Sequence, residues 1–484
     1  MKIKFPISYF VAKRVFVQLE KLSDKINVWH VVLVSLIFSI LAIVGLKGGA
    51  VHWEIYSYLP NYLADRSLVS KLFDSNIFDN GYYQARELSY LFDYFDSNFV
   101  ALTVCLGSPQ FISITHYVFS TLISVILWWF SVKELKLRPI IGMALVLLYW
   151  TTPSVFLSGL FRSAKIGVAL AVALVFFMLY RAIKKELDCK EHVVSTAELM
   201  FCSLVSIAAM LFDRQGVFLM FIALVFLIFW YRFFRTINTV KFIVVFACTM
   251  LLSYIYNHYI ATNLTLHFNN YWPKFAFQDF GISQCLYDME YYHGGIVPFI
   301  HTVGFLLGDM PYEVTFIVLS VSFFLLVYEL TTTVKEKKYD KLFVVTVISF
   351  IIVHLLIFLM LAIMSFKHPP ILWTDVIRVY YWLPILPLIC MTLAMVLAKL
   401  KEHVSQRVIF AFMLIAIISN ICAIPRHRDI QHKGHMKPCY DIASKVRETI
   451  KTIRTGKYKS LPADEKNQVY QCFLKKYPVK EVSR

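Results

Sequence analysis

Residues 342–364 read LFVVTVISFIIVHLLIFLMLAIM, 23 consecutive positions without Asp, Glu, Lys or Arg. At 1.5 Å of rise per residue, a helix of this length covers the roughly 30 Å hydrocarbon core of a bilayer. Four more runs (Val32–Leu46, Ile112–Phe130, Ile166–Tyr180 and Val217–Trp230) approach the same length. Across all 484 residues, 58% are hydrophobic and 16% charged, against roughly 25% charged in soluble domains. These features define an all-α polytopic integral membrane protein. The first run follows a long basic segment and precedes no small-residue cleavage site, so it reads as a span and not as a signal peptide.

Lys and Arg gather on the cytoplasmic side of membrane helices, so the basic N-terminus (Lys2, Lys4, Lys13, Arg14, Lys21, Lys25) is placed inside. The expected spans are 29–47, 111–132, 139–157, 164–182, 195–212, 216–231, 241–260, 313–331, 342–364, 380–398 and 408–424. Basic turns at Lys133–Arg138, at 181–190, at Arg232–Lys241 and at 335–341 then all fall inside. Long outer loops cover 48–110 and 261–311, and a shorter one, SFKHPPILWTDVIRVY, covers 365–380. The apolar segment Ile296–Leu307 is too short to cross, and is read as re-entrant or interfacial. About eleven crossings put the basic tail from Pro425 outside. It is expected to be a small appendage with short helices at 440–453 and 470–477.

The nine cysteines carry no CxxC or zinc spacing and read as packing residues. Cys439 and Cys472 differ by lying in the tail, where pairing would need an oxidising compartment. His427, His432, His435 and Cys439 match no standard zinc spacing and are read as polar residues of a basic segment. Asn263-Leu264-Thr265 is a sequon in an outer loop, of consequence only in a eukaryotic host.

The least hydrophobic part of the first outer loop is DNGYYQARELSYLFDYFD, residues 79–96. From Ala85, the apolar residues Ala85, Leu88, Phe92, Phe95 and Phe99 recur at three- and four-residue steps. They predict an interfacial helix with that face buried and Arg86, Glu87, Asp93 and Asp96 elsewhere on its circumference. Asp79 falls near the helix start, where the dipole favours a carboxylate. The other outer turns present Arg162 and Lys165, then Asp213 and Arg214, then Lys367, His368, Asp375 and Arg378. Taken singly, each cation reads as a lipid-headgroup anchor. On one shared side they fit transfer from a phosphate-linked donor, in which cations neutralise the leaving phosphate and a carboxylate takes the acceptor's proton.

The long acidic first loop resembles that of the GT-C superfamily of membrane glycosyltransferases, including the aminoarabinose transferase and protein O-mannosyltransferase group. Asp79-Asn80-Gly81-Tyr82-Tyr83-Gln84-Ala85-Arg86-Glu87-Leu88 is similar to, and shorter than, their DExxYxxxxRE(M/L) pattern, with Asn80 where that pattern has Glu. RVYYWLPILPL, 378–388, resembles the RYxxPxxP run of several relatives. The resemblance implies inverting transfer of one sugar from a polyprenyl-phosphate donor to a lipid, glycan or protein acceptor at the outer face. Asp79 is the implied general base, with Glu54, nearer the first span, as the second candidate. Arg378 and Arg214 would hold the donor phosphate, with Arg162 and Lys165 as further contacts. Arg86, Glu87, Asp213 and His368 would support them, Glu87 by orienting Arg86 or a divalent metal ion. The expected setting is a bacterial inner membrane, with membrane lipids and no nucleic acid as partners.

Besides a structural membrane protein, which would need no acid–base loop, two other classes stay open. An O-antigen-type polymerase or ligase would also have about a dozen spans and Arg-bearing outer loops. A lipid-linked glycan transporter or flippase would place ionisable groups at mid-span, whereas here they gather at helix ends.

Overall fold

A computed structural model describes residues 25–45, 62, 67–72, 86–105, 112–188, 193–213, 215–235, 237–256, 346–349, 351–355, 380, 382–400 and 406–431. These residues are mostly helical, with no strand among them. The helices are α1 (Val28–Gly45), α2 (Leu68–Leu72), α3 (Glu87–Cys105), α4 (Ile114–Trp129), α5 (Pro139–Thr151) and α6 (Pro153–Leu157). They continue with α7 (Ala164–Asp188), α8 (Thr196–Phe212), α9 (Gly216–Phe234), α10 (Ile237–Ile255), α11 (Leu386–Leu400) and α12 (Gln406–Gln431). Among the described residues, five helical stretches are long and apolar enough to cross a membrane: α1, α4 with its C-terminal turn, α7, α10 and α12. A sixth forms if the bent pair α5–α6 is one span.

α7 is the hub. It packs against α3, α4, α8, α9, α10 and α11, while α1, α10 and α12 lie at the periphery. Small residues on α7 allow this close approach. A Cβ added at Gly167 would enter the Phe212 ring of α8. The peripheral helices show Leu33, Leu36, Ile40, Leu251, Ile415 and Ile418 on their outer faces, as lipid contact requires. Buried hydroxyls, with no water to bind, turn back on their own helices, as Ser124 Oγ does on the Ser120 carbonyl at 2.8 Å. Others join helices. Trp150 Nε1 donates to Ser35 Oγ at 3.0 Å, and Ser203 and Thr249 share a bond at 2.8 Å.

Helix ends follow local chemistry. Ser195 and Glu198 form a reciprocal capping box on α8. Pro153 forces Thr152 into extended backbone (ψ 138), which breaks the span expected over 139–157 and bends it by 55°. The break therefore yields α5 and α6 and not one straight helix. α12 continues through Pro425 to Gln431, past the boundary expected at 424, since membrane helices tolerate proline. Residues 346–349 and 351–355 are helical within the expected span 342–364. The expected span 313–331 and the short tail helices expected at 440–453 and 470–477 lie outside the described residues.

The bundle has two chemically distinct ends. The turn following α4 and the C-terminal ends of α7 and α9 carry Lys133, Lys136, Arg138, Lys184, Lys185, Arg232 and Arg235. Lys184 Nζ ties the end of α7 to the carbonyl of Glu134 at 2.7 Å. Asn238 Oδ1 accepts from the Val194 N–H at 2.9 Å, placing the start of α8 beside the α9–α10 turn. At the other end lie the N-termini of α3, α4 and α7 and the α8–α9 turn, joined by the Ser113 N–H on the Gly159 carbonyl at 2.7 Å.

Candidate functional site

α3 carries the acidic stretch, but with its faces arranged differently from the expectation. Ser89, Tyr90, Asp93, Asp96, Ser97, Val100 and Ala101 are buried, while Phe95 is half exposed. Leu88, Phe92 and Phe99 pack partly against the core, and Phe92 meets both Phe119 and Phe212. Asp93 and Asp96 are thus interior groups and not solvated charges on the circumference. Burying them requires partners, which come from other segments of the chain.

The partner of Asp93 is Arg162, which stands between the 3₁₀ turn Ser158–Leu160 and the start of α7. Arg162 Nε and Nη2 both donate to Asp93 Oδ2, at 2.8 and 2.5 Å. Ser89 and Ser163 hydroxyls approach the same carboxylate at 3.4 Å. The guanidinium also lies 5.5 Å from the centre of the Tyr90 ring. Burial lifts the Asp93 carboxyl above its ordinary range against the pull of Arg162. Arg162 is only 5% exposed.

Asp213 closes a second network. Its backbone ends α8, and its side chain accepts the Gln215 N–H at 2.9 Å, tightening the turn into α9. Lys165 Nζ reaches Oδ1 at 2.8 Å, and Arg86 Nη1 reaches Oδ2 at 3.1 Å. Burial alone would raise this carboxyl, but the Arg86 and Lys165 charges, with the hydrogen bonds from Lys165 and the Gln215 N–H, hold it well below the usual carboxylate range. One carboxylate thus joins the first loop, the start of α7 and the α8–α9 turn.

Aromatic side chains bring in three further segments. Tyr256, following α10, donates its hydroxyl to Glu87 Oε1 at 2.5 Å. Tyr380, two residues beyond Arg378 in sequence, stacks on Phe161 at 4.7 Å between ring centres, with Lys165 Nζ 5.8 Å from its ring. Tyr62 packs against Tyr94, whose ring also faces Lys71 of α2. Arg86, Glu87, Arg162, Lys165 and Asp213 therefore come together at one end of the bundle. Asp79, Glu54, Arg214, Arg378 and His368 lie outside the described residues. Among the described residues, no group of three or more His, Cys, Asp or Glu side chains could hold a metal ion.

Asp96 serves a separate purpose. It accepts from Ser113 Oγ at 2.6 Å, from the Thr115 N–H at 3.0 Å and from Thr115 Oγ1 at 2.8 Å, latching α3 to the first turn of α4. Burial, with the neighbouring Asp93, moves its carboxyl up to about 7, although these three bonds pull it down. α3 is not among the helices apolar enough to span. The folded chain therefore holds a proton that the unfolded chain, near 3.8, releases. Stability through this group should fall as pH rises from about 4 to about 7, by at most about 4 kcal/mol, and be flat beyond that window. Asp96→Asn, which mimics the neutral acid, should flatten the dependence of melting temperature on pH in that window. Superimposable wild-type and variant curves would remove Asp96 as the titrating group.

The importance of Asp93 and Asp96 was missed in the sequence because the apolar residues of α3 have helical spacing on two faces. The usable signal was Ser89, Asp93, Ser97 and Ala101, small or polar residues at four-residue steps. Neither a scan against protein-family models nor a search of curated proteins found a match to this chain.

Proposed function

We propose that this chain is a GT-C-like membrane glycosyltransferase of about eleven spans, with its basic turns in the cytoplasm and its tail on the opposite side, set in a bacterial inner membrane. It takes a sugar from a polyprenyl-phosphate donor at the face remote from the basic turns. One observation supports the reading above others: Arg86, Arg162 and Lys165 with Asp93 and Asp213, drawn from three segments of the chain, are assembled at the end opposite those turns, with Tyr380 of the 378–388 run stacked beside them. A transporter would be expected to place its ionisable groups near mid-span.

In this reading a carboxylate, Asp79 or Glu54, accepts the acceptor's hydroxyl proton as its oxygen bonds to the anomeric carbon. The bond from that carbon to the phosphate oxygen breaks, and polyprenyl phosphate leaves with its charge balanced by cations. Arg162 and Lys165 are engaged by Asp93 and Asp213 and nearly inaccessible, so they organise the site more than they touch the donor. Arg86 suits the phosphate better. Although it also faces Asp213, it is one-fifth exposed, against 5% for Arg162 and Lys165. It would act with Arg378 and Arg214.

The test gives purified protein labelled polyprenyl-phosphate sugars and extracted acceptor lipids. Wild type should form labelled product, Asp79→Asn or Glu54→Gln should lose it by about 100-fold or more, and Arg86→Ala and Arg378→Ala should weaken donor use. Equal product from both carboxylate variants would remove them as bases. Donor translocation in vesicles without any product would instead identify a flippase.

A further inference from the structure

The break between α5 and α6 releases backbone from its helical ladder inside an apolar part of the bundle. Pro153 has no N–H to give. The Val155 N–H, which an unbroken helix would offer to the Thr151 carbonyl, goes instead to the Thr152 carbonyl at 3.1 Å, where the Phe156 N–H joins it at 3.0 Å. The Tyr149 carbonyl is served by the Thr152 hydroxyl at 2.8 Å. The Thr151 carbonyl has lost its helical donor.

Against this break stands Asn420, within the apolar stretch Ile409–Arg426 of α12, a helix that packs along both α5 and α6. Asn420 is fully buried, and its Nδ2 donates to Thr151 Oγ1 at 3.4 Å. Its Oδ1 has no hydrogen-bond partner among the described residues. Ser154, in the first turn of α6, is also fully buried, and its hydroxyl has no partner among them either. Leaving such groups unmet in apolar surroundings is costly. Where proline breaks a membrane helix, side chains or ordered water serve the freed groups.

We propose that one ordered water molecule is bound at this break, donating its hydrogens to Asn420 Oδ1 and the Thr151 carbonyl and accepting from the Ser154 hydroxyl. Two acceptors and one donor match a buried water, which typically makes about three hydrogen bonds. A metal cation suits these oxygens less well. Neither 139–160 nor 406–425 contains Asp or Glu, so its charge would be uncompensated in an apolar setting. The water supports the bend that leads through α6 and the 3₁₀ turn Ser158–Leu160 to Arg162, and it does not depend on the transferase reading.

A cryo-EM map of the full chain in nanodiscs, fine enough to show ordered water, should contain a peak about 3 Å from both Asn420 Oδ1 and the Thr151 carbonyl. The peak should be lost in Asn420→Leu. Melting temperature in detergent gives a second readout. Thr151→Val removes the direct bond to the Asn420 amide, so Asn420→Leu is compared in that background. With the water bound, adding Asn420→Leu should lower the melting temperature by a further few degrees. In a dry site the same change would remove an unmet acceptor and leave the melting temperature unchanged or raised, which would overturn the proposal. A wild-type map with no peak, with a protein side chain bonded to Asn420 Oδ1, or with a peak ringed by oxygens at the short distances of a metal ion would overturn it equally.

Discussion

Arg162→Met should be among the most damaging substitutions in the chain, lowering stability by about 3–5 kcal/mol. The guanidinium it removes makes two hydrogen bonds to Asp93, whose side chain is 0% exposed. Without it, a carboxylate stays in a site that burial already disfavours. The loss would be read as a lower melting temperature in detergent, or as failure to recover folded protein. Asp93→Leu alone should cost a comparable amount, because it strands the cation. Combining Arg162→Met with Asp93→Leu should recover much of the loss, since apolar residues of similar volume often replace a buried pair at little cost. A double variant no better than the sum of the singles would mean that the pair does not act as a unit. The same variant separates structure from the proposed chemistry: recovered folding with lost transfer would show that the network serves the proposed reaction beyond holding α3 to α7.

Gly216→Ala should come next, costing about 1–3 kcal/mol or more. A Cβ at this position would lie 2.5 Å from the carbonyl carbon of Ala209 and 2.6 Å from the Met210 nitrogen. Those are backbone atoms of the preceding helix, so no side chain can swing aside. The turn cannot open easily, because the Gly216 N–H donates to the Asp213 carbonyl at 2.8 Å and the Asp213 side chain is pinned by Lys165 and Arg86. Gly45→Ala is the control, since its Cβ would meet the Phe156 ring at 3.8 Å, an ordinary contact. Equal melting temperatures for the two variants would show that the close approach of α8 and α9 can relax.

Most helix positions were legible because a bilayer demands a continuous apolar run from every helix that crosses it, and this demand is local. The runs beginning near 29, 111, 164, 195, 216 and 241 each became a helix within a few residues of its expected start. The break at Pro153 was also written locally but read through, because residues on both sides are apolar. The candidate site was legible in a coarser sense. Sidedness predicted that Arg162, Lys165, Asp213, Arg86 and Glu87 share an end, and the contacts place them there.

Sequence alone established a helical membrane chain with chemically opposite ends, because hydrophobic length and the distribution of Lys and Arg depend on the solvent each residue meets. Tertiary structure alone decided that Arg162 is taken by Asp93, that Lys165 and Arg86 share Asp213, and that Asp96 latches α3 to α4. Those pairings join residues from 17 to more than 100 positions apart. A charge shows in a sequence, but its partner is set by which helices meet, and that follows from packing around the small residues of α7.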